Sequence, residues 1–537
     1  MKIVMVNLGE GRKYNQIDEC SGLASVGIES IATYLEANGF DVSIVDQSMY
    51  HLSIDEVIEQ VMGLNPDIIG LNPLNNFRNR VGEIVRKVKS KLPSVISVIG
   101  GYDATFRLLA DYDASVDFLI RGNGEAAMKE IIERIQAKQP VQDIQGVAYR
   151  NGKEVVENIG QFAEKISMDD LPWPVRQNID YLSKCNETVS IIGSRGCWSN
   201  CAFCSTPQMY PQGREERSLA ILFQEIDYLL ENGIRRFSFW DEDFYGIKQA
   251  SIQRADEIIR YIGSRNAKIT FTFITAPGLV RAEKMDLIRR WEGVVERVYA
   301  GIEGGCNEAL KNLGNHCCMD SDINARAINL IRKYNISLQI GFIMFNPYST
   351  FRELADSANF LHKNNEAINS VSFFHRVRPY PGTKLYKQLN DQDILNKETC
   401  DQEFNLHTSM PYKFQNDKVS EMAKSLASVE DQEITSKVDR LNIEVVSELI
   451  RQGNGISIFD DTAPKNNDIV GSYKELRQDI SRLNYGFFTD SLELFSIGNH
   501  EDFLIYKNYY LLKLTKYTNK LEKLKEAILR NEKLKVM

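Results

Sequence analysis

Positive charge is in deficit in this chain of 537 residues: 64 lysines and arginines face 73 aspartates and glutamates, a net charge of −9. That balance excludes a nucleic-acid binder working through bulk charge. Long apolar runs are missing as well. No stretch approaches the roughly 18 consecutive apolar residues of a spanning helix. The start, Met1 to Leu8, is apolar but breaks off into Gly9-Glu10-Gly11-Arg12-Lys13, too soon for the core of a secretory signal. A cytoplasmic, reducing location is the expectation. The nine cysteines are an odd number, which argues against a disulfide framework. No G-x-G-x-x-G follows the first strand pattern, so a dinucleotide is not favoured.

What is present is a tight cysteine group. Cys197, Cys201 and Cys204 fall within eight residues as C-x3-C-x2-C. Three thiols so spaced can hold three irons of a [4Fe–4S] cube, a cluster normally held by four cysteines. The fourth iron is then open, and an open position separates a catalytic metal centre from a structural one. Zinc or a plain apolar core are the alternatives. A zinc knuckle usually spaces two separated pairs, and the other Cys/His group, His316-Cys317-Cys318, lies over a hundred residues on. Cys306, Cys317, Cys318 and Cys400 read as buried apolar residues.

The length suggests three or four domains. Residues 1–140 alternate strand patterns (Lys2–Leu8, Phe40–Asp46, Asp67–Asn72, Val95–Gly101, Val116–Gly122) with helical ones, including Ser53–Leu64 capped by Ser53. Such alternation predicts an α/β fold, a doubly wound, Rossmann-like parallel sheet with its ligand outside the carboxyl ends of the strands. Residues 141–187 read as a hairpin at Asn151-Gly152 and an ordered linker through Leu171-Pro172-Trp173-Pro174. Residues 188–383 repeat the alternation six times, at Thr188–Gly193, Arg236–Trp240, Lys268–Ile274, Val295–Ile302, Ser337–Phe345 and Ser370–Val377. Six units fit a partial (β/α)6 barrel of TIM type, with chemistry at the carboxyl ends of its strands. The three cysteines follow the first of these strands. Residues 384–537 read as mostly helical, with a weak loop region at Gln452–Gly471. The last segment carries the stripe Leu514, Tyr517, Leu521, Leu524, Ile528, and lysines crowd its other faces.

These residues resemble the radical S-adenosylmethionine enzymes that carry an N-terminal cobalamin-binding domain. The C-x3-C-x2-C loop with Phe203 before the last cysteine is similar to the radical SAM signature. Arg214–Ser218, Asp241-Glu242-Asp243-Phe244, Gly301-Ile302-Glu303-Gly304-Gly305, Gly341–Pro347 and Arg378–Thr383 resemble later motifs of that barrel. Gly100–Thr105 and Arg121–Glu125 resemble motifs of the N-terminal domain. The resemblance covers about residues 1–385. Departures include Tyr102 and Asp103 where the family has proline and histidine, and Asp46–Tyr50, which has no histidine at the spacing that ligates cobalt.

The resemblance implies three cofactors: a [4Fe–4S] cluster, S-adenosylmethionine and cobalamin. It implies one-electron cleavage of S-adenosylmethionine to a 5′-deoxyadenosyl radical, hydrogen abstraction, and transfer of a methyl group from cobalamin to a small-molecule substrate. The same domains could instead catalyse a rearrangement, ring contraction or cyclisation. An electron donor such as flavodoxin or ferredoxin is the implied partner. Cys197, Cys201 and Cys204 are the expected cluster ligands. Glu303, then Asp241 and Glu242, suit an ammonium or ribose hydroxyl, and each has a structural alternative. Phe203 is placed to contact adenine. Arg378 suits a carboxylate or phosphate or a plain ion pair. Asn72, Leu74 and Asn75 are candidates for the lower face of cobalamin. Gly100, Gly101, Gly122, Asn123, Gly124 and Glu125 are candidates for its tail.

Overall fold

The computed structural model describes residues 1–9, 26–73, 78–158, 162–185, 188–265, 270–280, 288–314, 320–334, 336–401, 410–430, 432–451 and 469–536. The chain forms two compact units. The first comprises chiefly Met1–Gly196 and Gln208–Asp241; the second comprises Cys197–Pro207, Glu242–Cys400 and the C-terminal helices.

In the first unit, β1 (Lys2–Asn7), β2 (Asp41–Asp46), β3 (Ile68–Leu71), β4 (Ile96–Ile99), β5 (Phe118–Ile120), β6 (Val147–Asn151) and β7 (Glu154–Val156) build one sheet in the order β2-β1-β3-β4-β5-β6-β7. The pairs are parallel through β5, and β6 and β7 add an antiparallel hairpin. Alternate residues of β1 feed opposite cores. Val4 and Val6 pack with Ile69, Leu71 and Ile99 on one face, and Ile3 and Met5 pack with Ile28, Ile68 and Val98 on the other. A strand buried on both faces reads as a continuous apolar run, as Ile-Val-Met-Val does. Ser53 caps its helix with a full capping box to Glu56. The hairpin loop is Gly152-Lys153, one residue later than expected, because Asn151 pairs with Glu154.

A parallel pair also in this unit, β8 (Thr188–Ile191) with β11 (Arg236–Phe239), opens the second alternation. Between them β9 (Ser194–Arg195) and β10 (Glu215–Glu216) form a short antiparallel ladder. In the second unit, β12 (Thr270–Thr275), β13 (Val295–Glu303) and β14 (Ser337–Phe342) run parallel in sequence order. The sixth expected strand, Ser370–Val377, is a correction. It forms a 3₁₀ turn over Val371–Phe373 and touches Phe345 through one parallel bridge at Arg376. The cause is long-range: the Asp439 carboxylate accepts the amides of Ser370 and Val371 at 2.7 and 2.9 Å, removing them from any ladder.

Helices Asp417–Glu430, Glu433–Arg451, Ile469–Ile497 and His500–Val536 follow. They share a single core with the barrel strands of this unit, in which Phe342, Phe345 and Phe373 join Phe488, Tyr510 and Leu514. The expected stripe of the last helix is real: Leu514, Leu521 and Ile528 are fully buried, with Tyr517 and Leu524 packed beside them. The weak loop region Gln452–Gly471 lies outside the described residues up to 468. No described helix is long and apolar enough to cross a membrane.

Candidate functional site

Two sets of strand ends carry the candidate residues. In the first unit the order β2-β1-β3-β4-β5 places the topological switch between β1 and β3, where ligands of such sheets bind. Asn72, just after β3, sits there: its Oδ1 accepts the Leu8 amide at 3.3 Å, and its Nδ2 lies 3.5 Å from the Asn7 Oδ1. Leu74 and Asn75 lie outside the described residues. Gly100 and Gly101 end β4. Gly122, after β5, has φ +85, and a Cβ there would stand 3.0 Å from the Phe162 ring. Only glycine keeps that turn without strain.

Several polar residues around these turns are committed to the protein. Asp103 is buried and accepts from Arg107 Nε (2.8 Å) and Tyr112 OH (2.6 Å). Glu125, a candidate for the cofactor tail, accepts from Arg195 Nη2 at 2.6 Å and Ser30 Oγ at 3.0 Å. Burial would raise the Glu125 pKa, but the arginine outweighs it and holds the carboxyl below its ordinary value. Asn123 is within 3.5 Å of the same arginine, and Gly124 caps the helix that Glu125 begins. In the loop after β2, Asp46 caps the helix Gln47–Tyr50 and accepts from Asn7, while Gln47 bonds Gly9 and Leu52. Neither side chain is presented as a metal ligand. His51 takes the left-handed C-cap position.

In the second unit, Cys197, Cys201 and Cys204 border one cavity of about 670 Å³, its open mouth included. Their loop is a series of tight turns anchored at Ala202, whose amide donates to Gly314 and whose carbonyl accepts from Leu385 at 2.8 Å. Gly314 has φ +58, and a Cβ there would lie 2.6 Å from the Ala202 side chain, so the loop can dock only on glycine. Burial pushes the Cys197 thiol up to about 12, with Asp243 and the other two sulfurs adding to it; burial also raises Cys204. Such thiols become thiolates only against a compensating cation, as metal ligands do. Among the described residues no three His, Cys, Asp or Glu side chains converge as a single zinc ion requires. Thiols spread around a cavity suit separate irons of one cube. The residues fit the cluster.

Glu303 faces the same cavity from the end of β13. Its φ is +62, uncommon for a non-glycine residue, and the pairing with β14 slips between Gly301 and Glu303. The bulge curls the carboxyl back, 2.7 Å from where a Cβ on Gly301 would be. Strained backbone held at a strand end is a signature of functional sites. Among the described residues that carboxyl has no hydrogen bond or ion pair. Burial, with the Cys201 sulfur adding, pushes it up to about 7. A half-buried carboxyl with no partner among the described residues, at the wall of a cavity, fits a cationic or hydroxyl-bearing ligand.

The acidic run at the end of β11 divides. Asp241, wholly buried in the first unit, accepts from the Gly193 amide (2.8 Å) and Ser194 Oγ (2.6 Å). It anchors the chain just before the cysteine loop and does not line the cavity. Glu242 does line it, and so does Phe203. Asp243, not among the expected site residues, lines it too and accepts from the Trp198 indole and from Thr275 Oγ1 at 3.2 Å. Tyr299 also reaches the cavity, and the alternation of Tyr299, Gly301 and Glu303 along β13 was a signal for it. Arg378 is not among the lining residues. It lies beside His375, whose pKa burial pushes down, with the Arg378 charge adding.

Comparison with known proteins defines the class. Residues 22–132 match the B12 binding domain family and residues 191–361 the Radical SAM superfamily. The chain is a radical SAM enzyme with an N-terminal B12-binding domain, and those domains specify its cofactors: cobalamin, a [4Fe–4S] cluster and S-adenosylmethionine. It is 23% identical over 375 residues to the "uncharacterized methyltransferase PH0819" of Pyrococcus horikoshii, covering 66% of this chain and 76% of that protein. It is 24% identical over 386 residues to the 4'-phospho-dehydrooxetanocin synthase of Priestia megaterium, covering 66% of this chain but half of that one. The solved structure of the cobalamin-dependent S-adenosylmethionine radical enzyme OxsB, with aqua-cobalamin and S-adenosylmethionine bound, superposes with a TM-score of 0.68 at 17% identity. The superposition covers 99% of this chain and 80% of that one.

Proposed function

We propose that this enzyme is a cobalamin-dependent C-methyltransferase acting on an unactivated carbon of a small-molecule or natural-product intermediate. The observation that carries the reading is the convergence on one cavity of three thiols and the strained Glu303, whose carboxyl has no hydrogen-bond partner among the described residues, in a chain that also holds a B12-binding domain. The relative named a methyltransferase supports the choice of reaction. When bound, the cofactors supply one-electron cleavage of a carbon–sulfur bond and a transferable methyl group.

The protein's own residues bind, orient and exclude water. Cys197, Cys201 and Cys204 hold iron. Glu303 and Glu242 accept hydrogen bonds from the ammonium or ribose of S-adenosylmethionine, and Phe203 lies against its adenine. Ile274 and Ala276 keep that wall of the cavity dry. Asn72 and the turns at Gly100-Gly101 and Gly122-Asn123-Gly124 receive the corrinoid. Asp241 and Glu125 act as anchors of the fold beside these sites, and Arg378 receives an anionic group of the substrate. A flavodoxin or ferredoxin in a reducing cytoplasm supplies the electron.

Rearrangement or ring closure without methyl transfer is the second reading, favoured by the relative named a synthase. One experiment separates the two. Anaerobically reconstituted enzyme is reduced with methyl-labelled S-adenosylmethionine and cobalamin. Label recovered with the corrinoid supports methyl transfer. Release of 5′-deoxyadenosine with the corrinoid unlabelled would overturn it in favour of the second reading.

A further inference from the structure

The helix His500–Val536 has two apolar faces. One buries Phe503, Tyr510, Leu514, Leu521 and Ile528 in the core of its unit. On the opposite side, Ile505, Tyr509 and Leu512 are exposed at 68%, 56% and 57%, with Leu504 and Tyr506 exposed at its edges. Spacings of four and three along a helix are those of a seam between two helices. Five large apolar side chains in water within nine consecutive residues mark a surface that something covers.

The charges on that outer stripe indicate what. Exposed Glu501 and Asp502 stand one turn before Ile505, and exposed Lys516 and Lys520 stand one and two turns after Leu512. The stripe is therefore acidic at one end, apolar in the middle and basic at the other. Laid antiparallel on a copy of itself about an axis near Tyr509, it sets Ile505 against Leu512 and Glu501 against Lys516, with Asp502 next to that pair. A parallel alignment would oppose like charges.

We propose that a second copy of this chain covers this face, through two-fold, antiparallel pairing of the two His500–Val536 helices. Such a contact is isologous, so each apolar and each charged pair occurs twice, and the opposed charges fix its register. Within each helix Lys513 lies 5.3 Å over the Tyr509 ring, a cation–π contact that holds that ring on the stripe. An anionic bilayer is the other surface that takes apolar side chains ringed by lysine. Glu501 and Asp502 on the same stripe, and a net charge of −9, oppose it.

The test is sedimentation velocity of the full chain over a wide concentration series. The expected result is a reversible dimer. The charge reversal Glu501→Lys raises its dissociation constant at least about tenfold, and adding Lys516→Glu restores it. Leu512→Asp gives a monomer with unchanged circular dichroism. All these positions are exposed, and should Leu512→Asp fail to fold, the reversal and its rescue decide alone. A monomer at every concentration would overturn the proposal, as would a dimer indifferent to the reversal or not restored by the second one. Monomeric protein that pellets with vesicles containing phosphatidylserine would also overturn it, assigning the face to lipid.

Discussion

Under the proposed function, binding of S-adenosylmethionine turns on Glu303. Its left-handed backbone and slipped register aim a half-buried carboxyl, without a partner among the described residues, into the cysteine cavity. A charge-assisted hydrogen bond contributes roughly 1.5–3 kcal/mol. Glu303→Gln is therefore expected to weaken binding of S-adenosylmethionine about 10- to 100-fold, measured by titration calorimetry, with iron content unchanged. Asp243 differs: it holds the Trp198 indole and Thr275 together behind Cys197. Asp243→Asn is expected to keep iron but shift the reduction potential of the cluster upward, because a buried negative charge beside a ligand disfavours adding an electron. Potentiometric titration followed by electron paramagnetic resonance checks it; an unmoved potential contradicts the role. Glu303 was legible in the sequence as an acid at a strand end, but its left-handed conformation was not. Asp243 was passed over because its partners are a loop tryptophan and a residue 32 positions away.

At the scale of elements, the parallel strands of both alternations were legible because short apolar runs bounded by helices leave few alternatives. The sixth was not. Val371 to Val377 looks β-rich locally, yet its fate is set by Asp439, 68 residues from the Val371 it binds. Glu125 and Asp241 were candidates for cofactor contact for a similar reason. The partners that occupy them, Arg195 and the Gly193–Ser194 turn, are 70 and 48 residues distant or nearly so. One buried cluster ties the helix Val26–Ala37 to the helix Leu219–Glu231: Arg176 lies 3.2 Å from both Glu29 and Glu225. One guanidinium between two carboxyls leaves burial dominant, and Glu29 is pushed up to about 7 from 4.5. A raised acid pKa stabilises the fold fully only below the unfolded value, and that contribution is lost as pH rises toward the folded one. The first unit is thus expected to lose up to roughly 3 kcal/mol between about pH 4.5 and 7, and Glu29→Gln to flatten that slope. Urea midpoints across the window measure it; equal slopes in both proteins would contradict the assignment.

Over the whole molecule, the two sets of strand ends proposed to bind cofactors can be tested separately. Gly314→Ala strikes the Ala202 anchor of the cysteine loop and is expected to lower iron incorporation severalfold while leaving corrinoid binding intact. Gly122→Val, at φ +85 against Phe162, is expected to do the reverse. The most direct test of the central claim is the metal content of anaerobically reconstituted protein, with and without Cys197, Cys201 and Cys204. About four irons and about one cobalt per chain are expected, with a triple alanine variant that loses the iron but keeps the cobalt. Iron retained by that variant, or a single zinc in place of iron in the unsubstituted chain, would contradict it.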